Sequence, residues 1–316
     1  MQKKIILFII ILFISCNNNL PVGNGANNLV TIFVSDEDKE IIDLYLNPLF
    51  NNTIKTPIDE NLYSIDVRNS KDFISLKYNK NIIIASISDI VDSTGDLLYK
   101  KFYNISNKDI FSLSDVYSRN QTIMCLSSKD LVDFSLLIDD YNKWILESIN
   151  ENIFNNYTYD LSVTNKQPEI ISIARENFNI DIEIDENYKV ILNDDNLLWI
   201  GRGFPYRWLV LSSGLVDKND YLSYIKNIYE NRLTNVTIVD KYTNFTNDTE
   251  NIIVRGLYEQ HDSDSGGPFF TYIFENNTNN EVIFISGFVN NPGKKKANLL
   301  LQLETIIRNI EVINYE

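Results

Sequence analysis

The order of apolar patterns along the chain is the feature that most constrains its fold. In the first half, segments with the apolar pattern of strands alternate with segments of helical spacing. In the second half, strand patterns predominate and few helices interrupt them. We therefore expect an α+β fold, with a mixed α/β N-terminal half over residues 29–165 and a mostly antiparallel sheet with covering helices over residues 166–316.

Two segments of the first half predict strands most clearly. Leu29–Val34 is rich in β-branched and aromatic residues, and Asn81–Ile87 carries the continuous apolar run that is typical of a central strand. A helix is expected between them, from Ser35 or Asp36 to Leu49, because apolar residues recur there at helical spacing.

The longest predicted helix opens at Ser128. Its apolar side chains recur every three or four residues, at Leu131, Phe134, Ile138, Tyr141, Ile145 and Ile149. This spacing predicts a stripe that faces the core. Before this helix, residues 93–118 are interpreted as one or two short helices. After it, the pattern breaks near residues 160–168, which we take as the boundary between the halves.

The second half is predicted to be a set of strands covered by two helices. The helices are expected over residues 217–232 and 294–310. The strands are expected at 180–184, 188–192, 197–202, 207–212, 236–239, 252–258, 269–274 and 282–289.

The N-terminal segment has the pattern of an export signal. Two lysines precede ten apolar residues, which are followed by Ser15 and Cys16. This order indicates a secretory signal, and the apolar run is shorter than the roughly 17–25 residues that span a bilayer. Because the segment ending at Cys16 resembles a lipobox, we expect a signal peptide over residues 1–15, lipid on Cys16 and a flexible tether over residues 16–28. The alternatives are an uncleaved anchor and an ordinary signal peptide with a chance cysteine.

Composition limits the partners that the protein can bind. The chain has 316 residues and a formal net charge of -15, which repels phosphate backbones and anionic headgroups. We therefore expect no nucleic-acid partner, and we expect membrane contact to come from lipid rather than from basic residues. If Cys16 carries lipid, Cys125 is the remaining cysteine and behaves as a small buried hydrophobe. No cofactor or metal is predicted.

One short segment looks like a catalytic motif. The run Asp264-Ser265-Gly266-Gly267-Pro268 resembles the nucleophile segment of chymotrypsin-like serine proteases. That chemistry needs a histidine from a distant upstream segment, whereas the one histidine of the chain, His261, stands four residues before Ser265. The trypsin-like interpretation is therefore rejected.

The same loop fits two other roles, one of them less well and the other better. Asp262 and Asp264 begin like a calcium loop, but Gly266 stands where a third ligand belongs and Ile273 where a bidentate Glu belongs. We therefore predict a tight structural turn with at least one positive φ, which leaves the loop as a weak candidate for binding. The residues concerned are His261, Asp262, Asp264, Gly266, Gly267 and Pro268. A second glycine-rich segment, Gly201-Arg202-Gly203, follows a predicted strand but opens no helix, so its backbone is not expected to cradle a phosphate.

A series of short motifs near the C-terminus resembles a known family. In chain order they are Arg255-Gly256-Leu257-Tyr258, Ser265-Gly266-Gly267-Pro268-Phe269, Gly287-Phe288-Val289, Pro292, Lys295 and Leu303-Glu304. This order is similar to the end of an uncharacterised family of bacterial envelope lipoproteins, domain of unknown function 4837. The resemblance implies a location in the envelope of a Gram-negative bacterium and a fold, but no activity and no catalytic residues. It also implies a larger apolar residue, such as Met, at the position of Ser265.

The resulting hypothesis is a lipid-anchored envelope protein, at the periplasmic or surface face of the outer membrane, that acts as a non-catalytic binding or scaffolding module. Its partner would be an unknown envelope protein or ligand. The alternatives are a hydrolase that uses carboxylates or the His261–Ser265 loop, and a carrier of an apolar ligand. Clustered carboxylates in a cleft would favour the hydrolase, and a deep apolar pocket would favour the carrier.

Overall fold

The computed structural model of the protein describes residues 20–87, 94–106, 108–233, 236–247, 252–261, 265–275 and 281–313. The chain forms two compact units. The first contains the residues up to Asn47 together with residues 65–152, and the second contains residues 48–64 and 153–316. The division thus falls at residue 152, inside a helix, rather than at the predicted boundary of residue 165.

The strands and helices follow one another in this order. The strands are β1 (Leu29–Val34), β2 (Thr53–Ile54), β3 (Glu60–Asn61), β4 (Ser64–Asn69), β5 (Asn81–Ile87), β6 (Ile110–Ser114), β7 (Thr122–Ser128), β8 (Ile180–Asp181), β9 (Lys189–Asp194), β10 (Leu197–Arg202), β11 (Tyr206–Gly214), β12 (Val236–Asn247), β13 (Ile252–Gln260), β14 (Ser265–Glu275), β15 (Val282–Asn290) and β16 (Glu311–Val312). The helices are α1 (Lys39–Leu49), α2 (Phe73–Leu76), α3 (Thr94–Ser106), α4 (Leu131–Ser162), α5 (Pro168–Phe178), α6 (Tyr221–Asn231) and α7 (Ala297–Arg308).

The first unit is built on a mixed sheet with the strand order β4-β1-β5-β7-β6. Strands β1, β5 and β7 run parallel, and β6 is antiparallel to β7. Every residue of β5 and β7 is buried, as expected for parallel strands whose two faces are covered. One face packs against α2 and α3 through a cluster that includes Phe33, Phe73 and Phe102.

Strand β6 corrects the prediction that residues 93–118 are wholly helical. Helix α3 ends at Ser106, and Ile110–Ser114 then pairs with β7 in antiparallel register, with Phe111 opposite Cys125. Phe111-Ser112-Leu113-Ser114 alternates apolar and polar residues, but the run is only four residues long, so pairing with a neighbouring strand decides its structure.

The long helix α4 confirms the predicted helix, but its buried stripe is narrower than the sequence predicts. Phe134, Ile138 and Ile145 are buried, whereas Tyr141 is 43% exposed. The helix continues to Ser162, so the break in pattern near residues 160–168 marks the end of a helix and not the boundary between units.

The second unit contains a seven-stranded sheet with the order β12-β13-β14-β15-β11-β10-β9. All of its neighbouring strands are antiparallel, which confirms the α+β class. Two hydrophobic clusters cover its faces. One includes Phe178 of α5 and Leu303 of α7, and the other includes Ile225 and Tyr229 of α6.

Helix α7 receives its N-terminal cap from a distant segment. The backbone N–H groups of Lys296 and Ala297 donate to Glu60 Oε2 at 2.7 and 2.9 Å. A carboxylate at a helix N-terminus satisfies N–H groups that have no partner within the helix. Glu60 of β3 therefore fixes the helix that lines one side of the site described below.

The segment predicted as a flexible tether is fixed from Leu20 onward. Asn24 N donates to Tyr78 O at 2.8 Å, and Val22 forms a bridge with Arg119. These backbone bonds belong to the first unit, so its ordered structure begins well before β1. No helix among the described residues is long and apolar enough to cross a membrane.

Candidate functional site

The residues predicted from the sequence do not assemble into one site. Cys16, Asp262 and Asp264 lie outside the described residues. Gly266, Gly267 and Pro268 lie inside strand β14, and His261 lies just beyond the end of β13. The predicted turn at Gly266-Gly267-Pro268 is therefore wrong.

The two glycines of β14 are explained by close approach of neighbouring backbone. A Cβ atom added at Gly266 would lie 2.3 Å from Tyr258 O, and one added at Gly267 would lie 2.0 Å from Val289 O. The glycines with positive φ among the described residues are elsewhere, at Gly25 and Gly293. Only a residue without Cβ lets strands β13, β14 and β15 come this close.

The described contacts of the former catalytic candidates are to other polar groups. His261 Nε2 lies 2.5 Å from Thr237 Oγ1. Ser265 Oγ accepts a hydrogen bond from Asn290 Nδ2 at 3.0 Å and donates to Gln260 Oε1 at 3.4 Å. These contacts join the ends of neighbouring strands, so each side chain has a described role in strand pairing.

Two residues of the C-terminal motifs, Arg255 and Glu304, meet in a partly buried ion pair. Arg255 donates through both terminal nitrogens to the carboxylate of Glu304, and Tyr272 donates its hydroxyl to Glu304 Oε1 at 2.7 Å. Burial, and then the neighbouring Glu304 carboxylate, raises the pKa of the Tyr272 hydroxyl. The motifs therefore join β13 and β14 to α7, which is a structural role.

The strongest candidate site is a pocket of about 240 Å³ in the second unit. The end of α4 forms one wall, α7 forms another, and the paired ends of β10 and β11 form the floor. Because Arg202 and Arg207 are directly opposite each other in the sheet, their side chains share one face. The lining residues are Tyr157, Asp160, Leu161, Thr164, Asp185, Tyr188, Arg202, Arg207, Gln302, Thr305 and Ile306.

Arg202 forms an ion pair on one side of the pocket. Its Nη1 donates to Asp185 Oδ2 at 2.7 Å, and its guanidinium carbon lies 5.7 Å from the centre of the Tyr188 ring. The second oxygen of Asp185 accepts two hydrogen bonds from Asn187, at 2.9 and 3.0 Å. The charge of Arg202 is therefore balanced, and both oxygens of Asp185 are occupied.

Arg207 is the arginine of the pocket that has no described ion pair. The residue is 9% exposed and donates to Gln302 Oε1, but among the described residues it forms no ion pair. Its buried Nε, like that of Arg202, has no described hydrogen-bond partner. Burial lowers the pKa of Arg207, and the positive charge of Arg202 lowers it further. Arginine stays protonated under these conditions, so the pocket holds two guanidinium groups, the buried carboxylate of Asp185 and the exposed carboxylate of Asp160.

The pocket was not predicted from the sequence, although one of its arginines was considered. The segment Gly201-Arg202-Gly203 is not followed by a helix, which argues against phosphate binding by its backbone N–H groups. The absence of a helix does not argue against binding by side chains. In the structure the donors are side chains instead. Arg207 donates a hydrogen bond to Gln302, which lies 95 residues further along the chain. A contact over this separation cannot be predicted from a local sequence pattern.

The first unit contains a larger but shallow groove of about 840 Å³. It lies between β6 and α4 and is open to solvent, with lining residues that include Lys108, Leu136 and Trp144. The described residues contain no group of three or more His, Cys, Asp or Glu placed to hold a metal ion. Neither the groove nor the arginine pocket is the deep apolar cavity that a carrier of apolar ligands needs.

Comparison with protein families supports the resemblance found in the sequence. Residues 220–309 match the family model described as Domain of unknown function (DUF4837). The resemblance is thereby confirmed over this segment. It contains α6, β12–β15 and α7, and therefore Glu304 and Gln302, whereas the pocket arginines precede it. No curated protein matches the chain.

Several solved structures show slight similarity. The Ran-binding protein Mog1p of Saccharomyces cerevisiae has 10% identity and a TM-score of 0.32, covering 43% of this chain and 91% of its own. LpqN of Mycobacterium tuberculosis, involved in cell envelope biogenesis, has 10% identity and a TM-score of 0.29, covering 48% and 99%. A protein of Bacteroides thetaiotaomicron has 9% identity and a TM-score of 0.28, covering 42% and 45%. At these scores none of them supports a functional argument.

Proposed function

We propose that the protein is a lipoprotein of the Gram-negative cell envelope, anchored through lipid on Cys16, whose second unit binds a ligand by its anionic group. The observation that carries the binding role is Arg207, a buried cation that forms no ion pair among the described residues and lines a pocket. The role is binding without conversion of the ligand. The anchor is supported by the sequence pattern that ends at Cys16.

A buried charge without a counter-ion is costly, which is why buried cations are normally paired. Asp185 is the carboxylate that acts on Arg207, but its oxygens are occupied by Arg202 and Asn187. An anionic group in the pocket would neutralise Arg207 and accept hydrogen bonds from its guanidinium. Carboxylates and phosphates fit this geometry best, since arginine presents parallel donors to both.

The binding role is tested by thermal denaturation with sodium phosphate and sodium acetate as probes. One probe or both should raise the melting temperature of the wild-type protein, because a ligand at about 100 times its Kd stabilises the folded state by about 2.7 kcal/mol. Arg207→Met should remove this rise. Arg175→Met is the matched control, because Arg175 is exposed and pairs with Asp181 on the surface.

In the absence of anions, Arg207→Met is expected to affect the melting temperature in the opposite direction. Replacing an uncompensated buried charge by an apolar side chain of similar length should leave the melting temperature unchanged or raise it. An Arg207→Met protein that melts well below wild type without anions, and that responds to phosphate and acetate as wild type does, would show that Arg207 is structural.

The anchor is tested separately in cells. Cys16→Ala should move the protein from the membrane fraction to the soluble fraction and abolish incorporation of radiolabelled palmitate. Cys125→Ala is the control, since Cys125 is buried and should affect neither measurement. Continued sedimentation of Cys16→Ala with membranes would contradict the anchor.

A further inference from the structure

The first unit is tied closely to the proposed anchor. Arg119 donates through Nε to Leu20 O at 2.8 Å and through its backbone N to Pro21 O at 2.9 Å. Only the three asparagines 17–19 separate Leu20 from Cys16. Four Cα–Cα steps of 3.8 Å reach at most about 15 Å. The surface around Leu20 therefore lies within about 15 Å of the backbone of Cys16, wherever the lipid holds that residue.

This surface combines basic and aromatic side chains. Lys77 Nζ lies 5.2 Å from the centre of the Tyr78 ring and 5.1 Å from that of Tyr117. Lys101 Nζ lies 5.9 Å from the centre of the Tyr117 ring, and both Lys101 and Arg119 are exposed. We call Lys77, Tyr78, Lys101, Tyr117 and Arg119 the anchor-side patch. All five belong to the first unit.

The patch is notable because the chain as a whole is strongly acidic. Its three cations contrast with a formal net charge of -15. The acidic residues within five positions of them in the sequence are Asp72, Asp96 and Asp115. Exposed charges act over about 8–10 Å at physiological ionic strength. An anionic surface held close to the patch therefore interacts most strongly with the charges that lie within this distance of it.

The composition of the patch also fits the chemistry of a bilayer surface. Tyrosine places its ring at the headgroup level and its hydroxyl in water, and lysine extends its ammonium group to the same interface. Each basic residue close to an anionic leaflet strengthens association by about fivefold. Three such residues do not anchor a protein alone, but they orient one that is already held by lipid.

We propose that the anchor-side patch faces the bilayer that holds the lipid on Cys16 and contacts its anionic headgroups. This inference rests on the proposed anchor. It replaces, for this one surface, the expectation from net charge that basic residues take no part in membrane contact.

The test uses the full lipid-bearing protein reconstituted on vesicles. One set is pure phosphatidylcholine, and the other is phosphatidylcholine and phosphatidylglycerol at 3:1. Lysines are acetylated briefly with a water-soluble reagent and quantified by mass spectrometry. Lys129 and Lys143 serve as internal controls, because they are exposed lysines of the same unit that pair with Asp133 and Glu147.

On the anionic vesicles, Lys77 and Lys101 should be acetylated at least about threefold more slowly than on phosphatidylcholine, relative to the two controls. The protection should disappear at high salt. Equal acetylation of patch and control lysines on both vesicles, with the protein sedimenting with them, would overturn the inference and leave the anchor intact. A protein that sediments with neither vesicle would overturn the anchor and this inference with it.

Discussion

Gly267 provides the most direct test of how the second unit is packed. A methyl group at this position would lie 2.0 Å from Val289 O and 3.3 Å from a ring carbon of Tyr258. The same carbonyl accepts a buried hydrogen bond from the Tyr258 hydroxyl at 3.0 Å. Because the clash is with backbone, Gly267→Ala can be accommodated only if strands β14 and β15 move apart.

The expected cost follows from these contacts. Overpacking a dense core typically costs about 1–3 kcal/mol, and leaving a buried hydrogen-bonding group without its partner costs about 1–3 kcal/mol more. Gly267→Ala should therefore lower the free energy of unfolding by about 2–6 kcal/mol. For a unit of this size, each kcal/mol lowers the melting temperature by about 2–4 °C, so a decrease of about 4–24 °C is expected.

The matched control is Gly203→Ala. A Cβ atom at Gly203 meets no other atom within 4 Å, and its φ is not positive. Both variants are compared with wild type by thermal denaturation followed by circular dichroism. Gly267→Ala melting together with Gly203→Ala at the wild-type temperature would refute the close approach of the strands.

Three further predictions concern side chains outside the pocket. Burial raises the pKa of Cys125 to about 12, so Ellman's reagent at pH 8 should detect one thiol fewer in the folded protein than in guanidinium. Reaction of Cys125 in the native state would contradict its burial. The contribution of this neutral thiol to stability is present below the pKa of the unfolded state, near 9.0, and should be lost as the pH rises toward 12. Glu60→Gln should weaken the cap of α7 and cost about 0.5–2 kcal/mol in chemical denaturation, whereas the exposed Asp59→Asn should cost nothing measurable. Glu304→Gln should cost about 2–4 kcal/mol, because it removes the carboxylate charge that pairs with the partly buried Arg255, and a wild-type denaturation midpoint would argue against the ion pair.

The sequence predicts the elements whose local pattern agrees with their surroundings. Strand β5 is a continuous apolar run and is buried on both faces, and the apolar spacing of α4 matches its buried positions Phe134 and Ile145. Strand β6 was missed because its identity comes from pairing with β7. Gly267 was assigned to a turn because adjacent glycines before a proline are typical of turns, whereas here the neighbouring backbone excludes a side chain.

The candidate site, the arginine pocket, cannot be predicted from local sequence patterns. Arg202 and Arg207 are close in the sequence, but what distinguishes them is the balance of charge around each one. Arg202 is paired with Asp185, whereas Arg207 has no described ion pair. Partners supplied by α4, α7 and the loop before β9 are brought together only by the folded sheet, so a single sequence cannot show which cation is compensated.

The central claim, that the arginine pocket binds anions, is tested most directly by NMR of the arginine Nε–H groups. These groups of Arg202 and Arg207 are buried and have no described hydrogen-bond partner, so an anion in the pocket should give them one. Titration with phosphate or acetate should shift the Nε–H signals of both residues with a common, saturable Kd, while the signal of the exposed Arg175 stays in place. Signals of Arg202 and Arg207 that remain unchanged at saturating phosphate and acetate would contradict the proposal.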